Sequence, residues 1–207
     1  MKIKNIIFDV GNVIVRWSPL HIIESTFPEH ESHEHQFFIK EIFRSDTWIQ
    51  LNLGQISEED AKLKFISEID SLDAKNVDNL FNFIKSTQEL IPGTIDIIKA
   101  LHKNGYQLFA LTDNVKEIVH HLQNRYDFWQ YFTHITVSAN IGLMKPNKEI
   151  FDYTMQKNNL LPYETVFIDD HLLNIKAASY LGFHTILFSN SSLCLHDLDR
   201  LGINIHD

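Results

Sequence analysis

Cysteine is nearly absent: Cys194 stands alone in 207 residues. No intramolecular disulfide can form, which fits a reducing cytosol. Cations are also scarce, with 18 Lys and Arg against 27 Asp and Glu and a net charge of −9. That balance argues against the clustered basic surface from which duplex nucleic acid or anionic membranes draw affinity, although a local basic pocket remains open. No apolar run approaches the roughly 20 residues that span a bilayer, and the first residues lack the basic-then-apolar order of a secretory signal. The expectation is a cytoplasmic protein with neither nucleic acid nor membrane as partner. Repeats and low-complexity tracts are missing too. A 44% hydrophobic share over 207 residues provides for one large domain, or a core with a modest insertion. The 12 histidines do not read as a metal site. His30, His33 and His35 lie in a Glu-rich stretch, and His120 and His121 point to different helix faces.

What the chain does have is a series of short apolar runs that each end in a polar side chain. The first is Ile6-Ile7-Phe8-Asp9-Val10-Gly11-Asn12-Val13-Ile14-Val15. It lacks the polar alternation of a half-exposed strand, so it reads as a parallel strand covered on both faces. Asp9 falls where that strand ends, the end at which open α/β sheets bind ligands. A carboxylate there costs desolvation energy unless it faces a cation or a ligand. A second run, Tyr106 to Leu111, ends in Thr112-Asp113-Asn114, and a third, Thr165 to Ile168, ends in Asp169-Asp170 with Asn174 beyond. Between them, Lys145 precedes Pro146. A residue before proline is pushed out of the helical region, so Lys145 belongs to an extended loop.

From Pro92 onward strands and helices alternate, which means a parallel sheet with helices on both faces. Helices are expected from Gly93-Thr94 to a stop at Gly105, over Val115–Gln123, over Lys148–Lys157, and over Leu172–Tyr180 with a stop at Gly182. Asn114, three residues before Glu117, has the form of a capping box. Further strands are expected at Ile135–Val137 and His184–Phe188. Residues 16–89 break the alternation with helical patterns alone, at Pro19–Thr26, His33–Leu51, Ser57–Ile69 and Val77–Thr87. Ser57 followed by Glu58-Glu59-Asp60 is a clear helix start, its acidic residues on the positive end of the dipole.

The order Asp9, Thr112, Lys145-Pro146, Asp169-Asp170, each at a strand end or loop, resembles the haloacid dehalogenase-like superfamily of hydrolases, most of which are phosphatases. The resemblance implies an α/β fold: a doubly wound, Rossmann-like parallel sheet as catalytic core (residues 1–15 and 90–207) with an inserted α-helical cap (16–89). It implies Asp9 as nucleophile, forming an aspartyl-phosphate that water hydrolyses. Mg2+ would be held by Asp9, Asp170 and the carbonyl of Gly11, with Asp169 holding a metal-bound water. Thr112 and the amide of Asp113 would bind the phosphoryl oxygens, and Lys145 would neutralise the charge between nucleophile and phosphate. Taken singly, Asp169-Asp170 reads equally as a helix cap and Lys145 as a solvated loop lysine.

Two positions depart from the family pattern. Family phosphatases carry a second aspartate two residues after the nucleophile as general acid and base, and here that position is Gly11. Its sub-branch resemblance is to glucose-1-phosphate phosphatase-like members, and more weakly to the phosphatase-like domains of bifunctional epoxide hydrolases. General acid–base help is worth about 10²–10⁴-fold in rate, so substrates with good leaving groups should be favoured. The second departure is Asp113, where asparagine is usual. Its carboxylate is expected to turn away from bound phosphate, toward the following helix; alternatively it supplies the missing acid–base function. The substrate implied is a small phosphorylated metabolite, such as a sugar phosphate. A 2-haloacid dehalogenase, with Arg44 binding the carboxylate, and a catalytically silent binding protein are the alternatives. Within the cap, Trp17, His21, Arg44, Trp48 and Gln50 are candidate specificity residues, and Phe37, Phe38 and Phe43 are expected to be buried in docking. A monomer or a homodimer is equally compatible.

Overall fold

A computed structural model describes residues 2–203 and 205. Its centre is a parallel sheet of five strands in the order β3-β2-β1-β4-β5. These are β1 (Asn5–Phe8), β2 (Gln107–Thr112), β3 (His134–Val137), β4 (Thr165–Asp169) and β5 (His184–Leu187). In β1 every residue is buried, as expected for a strand without polar alternation. Side chains point to opposite faces in turn, and both faces are apolar. Ile6, Phe8, Leu108, Ala110, Val166 and Ile168 enter one cluster. Ile7, Phe109, Leu111 and Phe167 enter the other. The first face is covered by α6 (Thr94–Lys103), α7 (Lys116–Arg125) and α11 (Ser191–Arg200) through residues such as Ile98, Leu122 and Leu198. The second is covered by α9 (Lys148–Asn158) and α10 (Leu172–Tyr180) through Ile150, Phe151 and Ile175.

Strand register decides where the site forms. Phe8 lies between Ala110 of β2 and Ile168 of β4, so the residues that follow these three strands emerge side by side. The chain winds outward from β1 to β2 and β3, then crosses back to β4 and β5. That reversal of direction opens a crevice at the carboxyl edge.

Residues between β1 and α6 carry helices only: α1 (Pro19–Thr26), α2 (Ser32–Phe43), α3 (Asp46–Asn52), α4 (Glu58–Glu68) and α5 (Ala74–Ser86). They bury Ile22, Phe38, Phe65, Leu80 and Phe81. The chain leaves and re-enters the sheet through two paired segments. Arg16 N donates to Glu89 O (2.8 Å) and Ile91 N to Ile14 O (2.8 Å). After β3 comes the short α8 (Ser138–Ile141). Ser138 Oγ donates to Asn52 O (2.7 Å), and a Cβ at Gly54 would lie 1.9 Å from Ala139 O. Gly54 also has φ +65°, so glycine is what permits the insertion to approach the core this closely.

Several expectations change. The run His33–Leu51 is two helices, because Ser45 ends α2 by donating to Ile42 O (2.8 Å) and caps α3 by accepting from Trp48 N (3.1 Å). The capping box at Asn114 does not form. Its Oδ1 accepts from the adjacent Val115 N (2.9 Å), its N donates to Ser138 Oγ, and the helix begins two residues later. The helix start at Ser57 is as expected, and it carries a capping box with Asp60 as partner. Phe37 is 50% exposed rather than docked, while Phe38 is buried. Helix α11 had no sequence expectation; Leu193, exposed on it, blurs the apolar period set by Cys194 and Leu198.

Candidate active site

Asp9, Gly11, Thr112, Asp113, Lys145 and Asp170 line one cavity of about 400 Å³ at the carboxyl edge of the sheet. Asp169 lies beneath it, fully buried. Asp9 follows β1 and hydrogen-bonds across to β4, its N donating to Ile168 O (2.8 Å). Lys145 is reached through a loop with a cis Lys145–Pro146 peptide bond. Its ammonium is buried, 3.0 Å from Asp9 Oδ1, 2.7 Å from Asp169 Oδ2, and donating to Leu111 O at 3.2 Å. The reading of a solvated loop lysine is therefore wrong.

Asp169 is held on all sides. Besides Lys145, Asn174 Nδ2 donates to both its oxygens (3.1 Å each) and His171 N donates to Oδ1 (2.8 Å). The last bond closes the turn onto His171, the N-cap of α10, rather than capping the helix, which has no side-chain cap. Asp9 is freer: Val10 N (2.7 Å) and Lys145 both approach Oδ1, and the described contacts leave Oδ2 unengaged.

Asp113 does not turn toward the following helix. Its Oδ1 accepts from Lys145 N (3.1 Å), tying the end of β2 to the lysine loop. Burial lifts the Asp113 carboxyl above its ordinary value, with Lys145 opposing. Burial likewise raises Asp170, opposed by a hydrogen bond from Asn12. Burial also raises Asp9, Asp169 adding to it and Lys145 opposing. For Lys145 burial pulls the pKa down, but Asp9, Asp169 and Asp113 outweigh it and hold the ammonium charged. One cation thus faces four carboxyl groups. Asp9, Asp169 and Asp170 each offer an oxygen within 4.8 Å of the others, a grouping able to hold a metal ion. With one ammonium among these carboxyl groups, the cluster keeps an excess of negative charge that a bound cation would offset.

Of the candidate specificity residues, Trp17 and Trp48 line the cavity; His21, Arg44 and Gln50 do not. Arg44 is exposed, and Gln50 accepts from Lys64 Nζ (3.3 Å). Sequence reasoning missed Asn12, Asn52, Gln88 and His171, which also line it. Asn12 had a signal: it follows Gly11 in the turn after Asp9 and takes φ +53°, a left-handed conformation that asparagine tolerates. Asn52 and Gln88, from α3 and the segment after α5, had none.

Residues 6–188 match the haloacid dehalogenase-like hydrolase family. A sesquiterpene phosphatase of Aspergillus oryzae is 25% identical over 96% of this chain and 96% of its own. Acyl-CoA dehydrogenase family member 10 of Mus musculus is 29% identical over 98% of this chain, which spans only 20% of that longer protein. Among solved structures, a haloacid dehalogenase family enzyme of Bacteroides thetaiotaomicron in complex with magnesium and inorganic phosphate superposes with a TM-score of 0.75. The two are 21% identical, over 91% of this chain and 95% of that one, a likeness of fold.

Proposed function

The chain belongs to the haloacid dehalogenase-like hydrolases, and on that premise we propose that it is a Mg2+-dependent phosphomonoester hydrolase working through an aspartyl-phosphate on Asp9. The observation that carries this is the buried Lys145 ammonium between Asp9 and Asp169, in a cavity where carboxyl groups outnumber cations. A phosphomonoester dianion would be repelled by Asp9 alone. Lys145 offsets part of that charge, and its place against Oδ1 orients the other oxygen, Oδ2, for attack on phosphorus.

In the first step Asp9 Oδ2 forms the new P–O bond as the ester P–O bond breaks, and the oxyanion leaves with the electron pair and takes a proton from solvent. In the second step water attacks phosphorus, releasing phosphate and regenerating the Asp9 carboxylate. Thr112 and the Asp113 amide bind the phosphoryl oxygens at the end of β2. The residues that would hold Mg2+ are Asp9, Asp170 and the Gly11 carbonyl, with Asp169 behind them. When bound, the ion lowers the repulsion between nucleophile and phosphate and stabilises the charge of the transition state. Metal binding by the solved Bacteroides relative supports the choice of magnesium.

The same proposal makes residues 16–89 a cap over the core. It places the enzyme in the cytoplasm, acting on a small phosphorylated metabolite as a monomer or homodimer. The narrower likeness to glucose-1-phosphate phosphatase-like members rests on Gly11, Asp169-Asp170 and Asn174. A 2-haloacid dehalogenase is disfavoured because, among the described residues, Lys145 is the one lysine or arginine lining the cavity, and it is already paired. The deciding experiment is p-nitrophenyl phosphate turnover with and without magnesium, in wild type and Asp9→Asn. Magnesium-dependent turnover lost in the variant is expected. Failure to turn over under any condition would return the chain to the dehalogenase or silent reading, and a haloacid assay would separate those.

A further inference from the structure

The cavity has two unlike ends. Its floor is the charged cluster of Asp9, Lys145 and Asp170, while Trp17 and Trp48 form a wall on the side of the helical insertion. The two indoles stack on one another, with ring centroids 5.9 Å apart and 16° between planes, so a ligand ring meets the cavity-facing surface of the stack. Phe43 sets its ring edge-on to both, at 5.5 Å and 86° to Trp17 and at 5.1 Å and 85° to Trp48. Backbone bonds fix the pair in place. Trp17 N donates to Asn12 Oδ1 (2.9 Å), on the turn that carries the nucleophile. Asn52 Nδ2 donates to Trp48 O (2.8 Å). Both indoles remain half-buried, unlike Phe38, so part of their surface is left to the cavity.

Position 11 lies against the same wall, with Trp17 Cβ 3.8 Å from where a Gly11 Cβ would stand. Gly11 thus brings no carboxyl group to protonate a leaving oxygen, and the side chain nearest that position is Trp17. A leaving group that stabilises its own negative charge suffers least from this, and a flat ring gains most from the indole faces. Resting on the phosphatase reading, we propose that the substrate is the phosphomonoester of a flat aromatic hydroxyl compound, stacked against Trp17 and Trp48. Asp9 takes the phosphoryl group, the aryl P–O bond breaks, and the aryloxide leaves with the electron pair and is protonated by solvent.

The test compares kcat/KM for 2-naphthyl phosphate and phenyl phosphate, whose leaving oxygens differ little in basicity. Acetyl phosphate and glucose 1-phosphate serve as references. Wild type is expected to prefer the naphthyl ester about 10-fold, the scale of a ring-stacking gain, and to turn over glucose 1-phosphate more slowly than either. Trp48→Leu keeps apolar bulk but has no ring, and should bring the preference to within about twofold; Trp48→Phe should restore most of it. A wild-type ratio near one would overturn the proposal. So would equal loss for both esters in Trp48→Leu, which is the signature of a docking role alone, or glucose 1-phosphate as the better substrate. Turnover of acetyl phosphate alongside any of these would leave the phosphatase reading standing. Absence of turnover with all four compounds would overturn both.

Discussion

Gly11→Asp is the sharpest perturbation of the proposed chemistry. Gly11 does not adopt a left-handed φ, and a Cβ there would meet only Trp17 Cβ, at an ordinary 3.8 Å. The backbone can therefore accept an aspartate without strain. A carboxyl group at this point is positioned to protonate the leaving oxygen, a contribution of about 10²–10⁴-fold where it operates. The gain should be concentrated on poor leaving groups: about 10²-fold in kcat/KM for an alkyl ester such as glucose 1-phosphate, and less than threefold for p-nitrophenyl phosphate. The added charge has a cost. At an effective dielectric of about 20, two like charges ~6 Å apart repel by about 3 kcal/mol. Restricting the unfolded chain returns about 0.4–1 kcal/mol. The net loss, about 2 kcal/mol, corresponds to a Tm lower by roughly 4–8 °C in a chain of this size. Magnesium should recover most of it, since the ion binds where the repulsion arises. The assay is a paired measurement of leaving-group dependence and of Tm in chelator and in magnesium. Equal acceleration of both esters, or none of either with a folded protein, would refute the reasoning.

Two further outcomes follow from the geometry. Gly54→Ala combines a left-handed backbone with a Cβ placed 1.9 Å from Ala139 O. It should lose about 2–5 kcal/mol, read as a lower denaturation midpoint with an unchanged m-value. Asp170→Asn removes a carboxyl whose pKa burial has raised. A raised folded-state pKa means that the native protein holds the proton more tightly than the unfolded chain. Stability from that source is present at low pH and lost as pH rises through the raised value. Without metal, the variant should therefore melt above wild type at neutral pH, with the difference closing as pH falls toward the ordinary carboxylate range. With magnesium the order should reverse, because the wild type alone keeps its full set of metal oxygens. Thermal melts across pH, with and without the ion, check both signs.

The three central strands were legible because they are covered on both faces, and that burial writes itself into the chain as an apolar run without alternation. The runs around Phe8, Leu111 and Ile168 lie within a residue of the observed strands. Helix boundaries were legible where a side chain caps its own helix, as Ser57 does, and misread where it bonds elsewhere, as Asn114 Oδ1 does to the adjacent Val115 N. The aspartates could be singled out because a carboxylate at a buried strand end has an electrostatic cost that some partner must offset.

The residues alone did not single out that partner; only the family resemblance pointed to Lys145. Lysine before proline looks solvated, and only the crossing of the Lys145 loop beneath the ends of β1 and β4 makes its ammonium the counter-charge for Asp9 and Asp169. Asp113 reads locally as a helix-start residue, yet its Oδ1 accepts from Lys145 N, 32 residues on. The indole wall joins a residue preceding α1 to one on α3, and its position over the site depends on Gly54 packing against Ala139. The sequence by itself determined the strands, the carboxylates at their ends and the family. The tertiary structure decided which charges pair and what surface faces the leaving group. Strand burial leaves a local pattern in the chain, whereas charge pairing and cavity walls form between segments that meet only when the chain is folded.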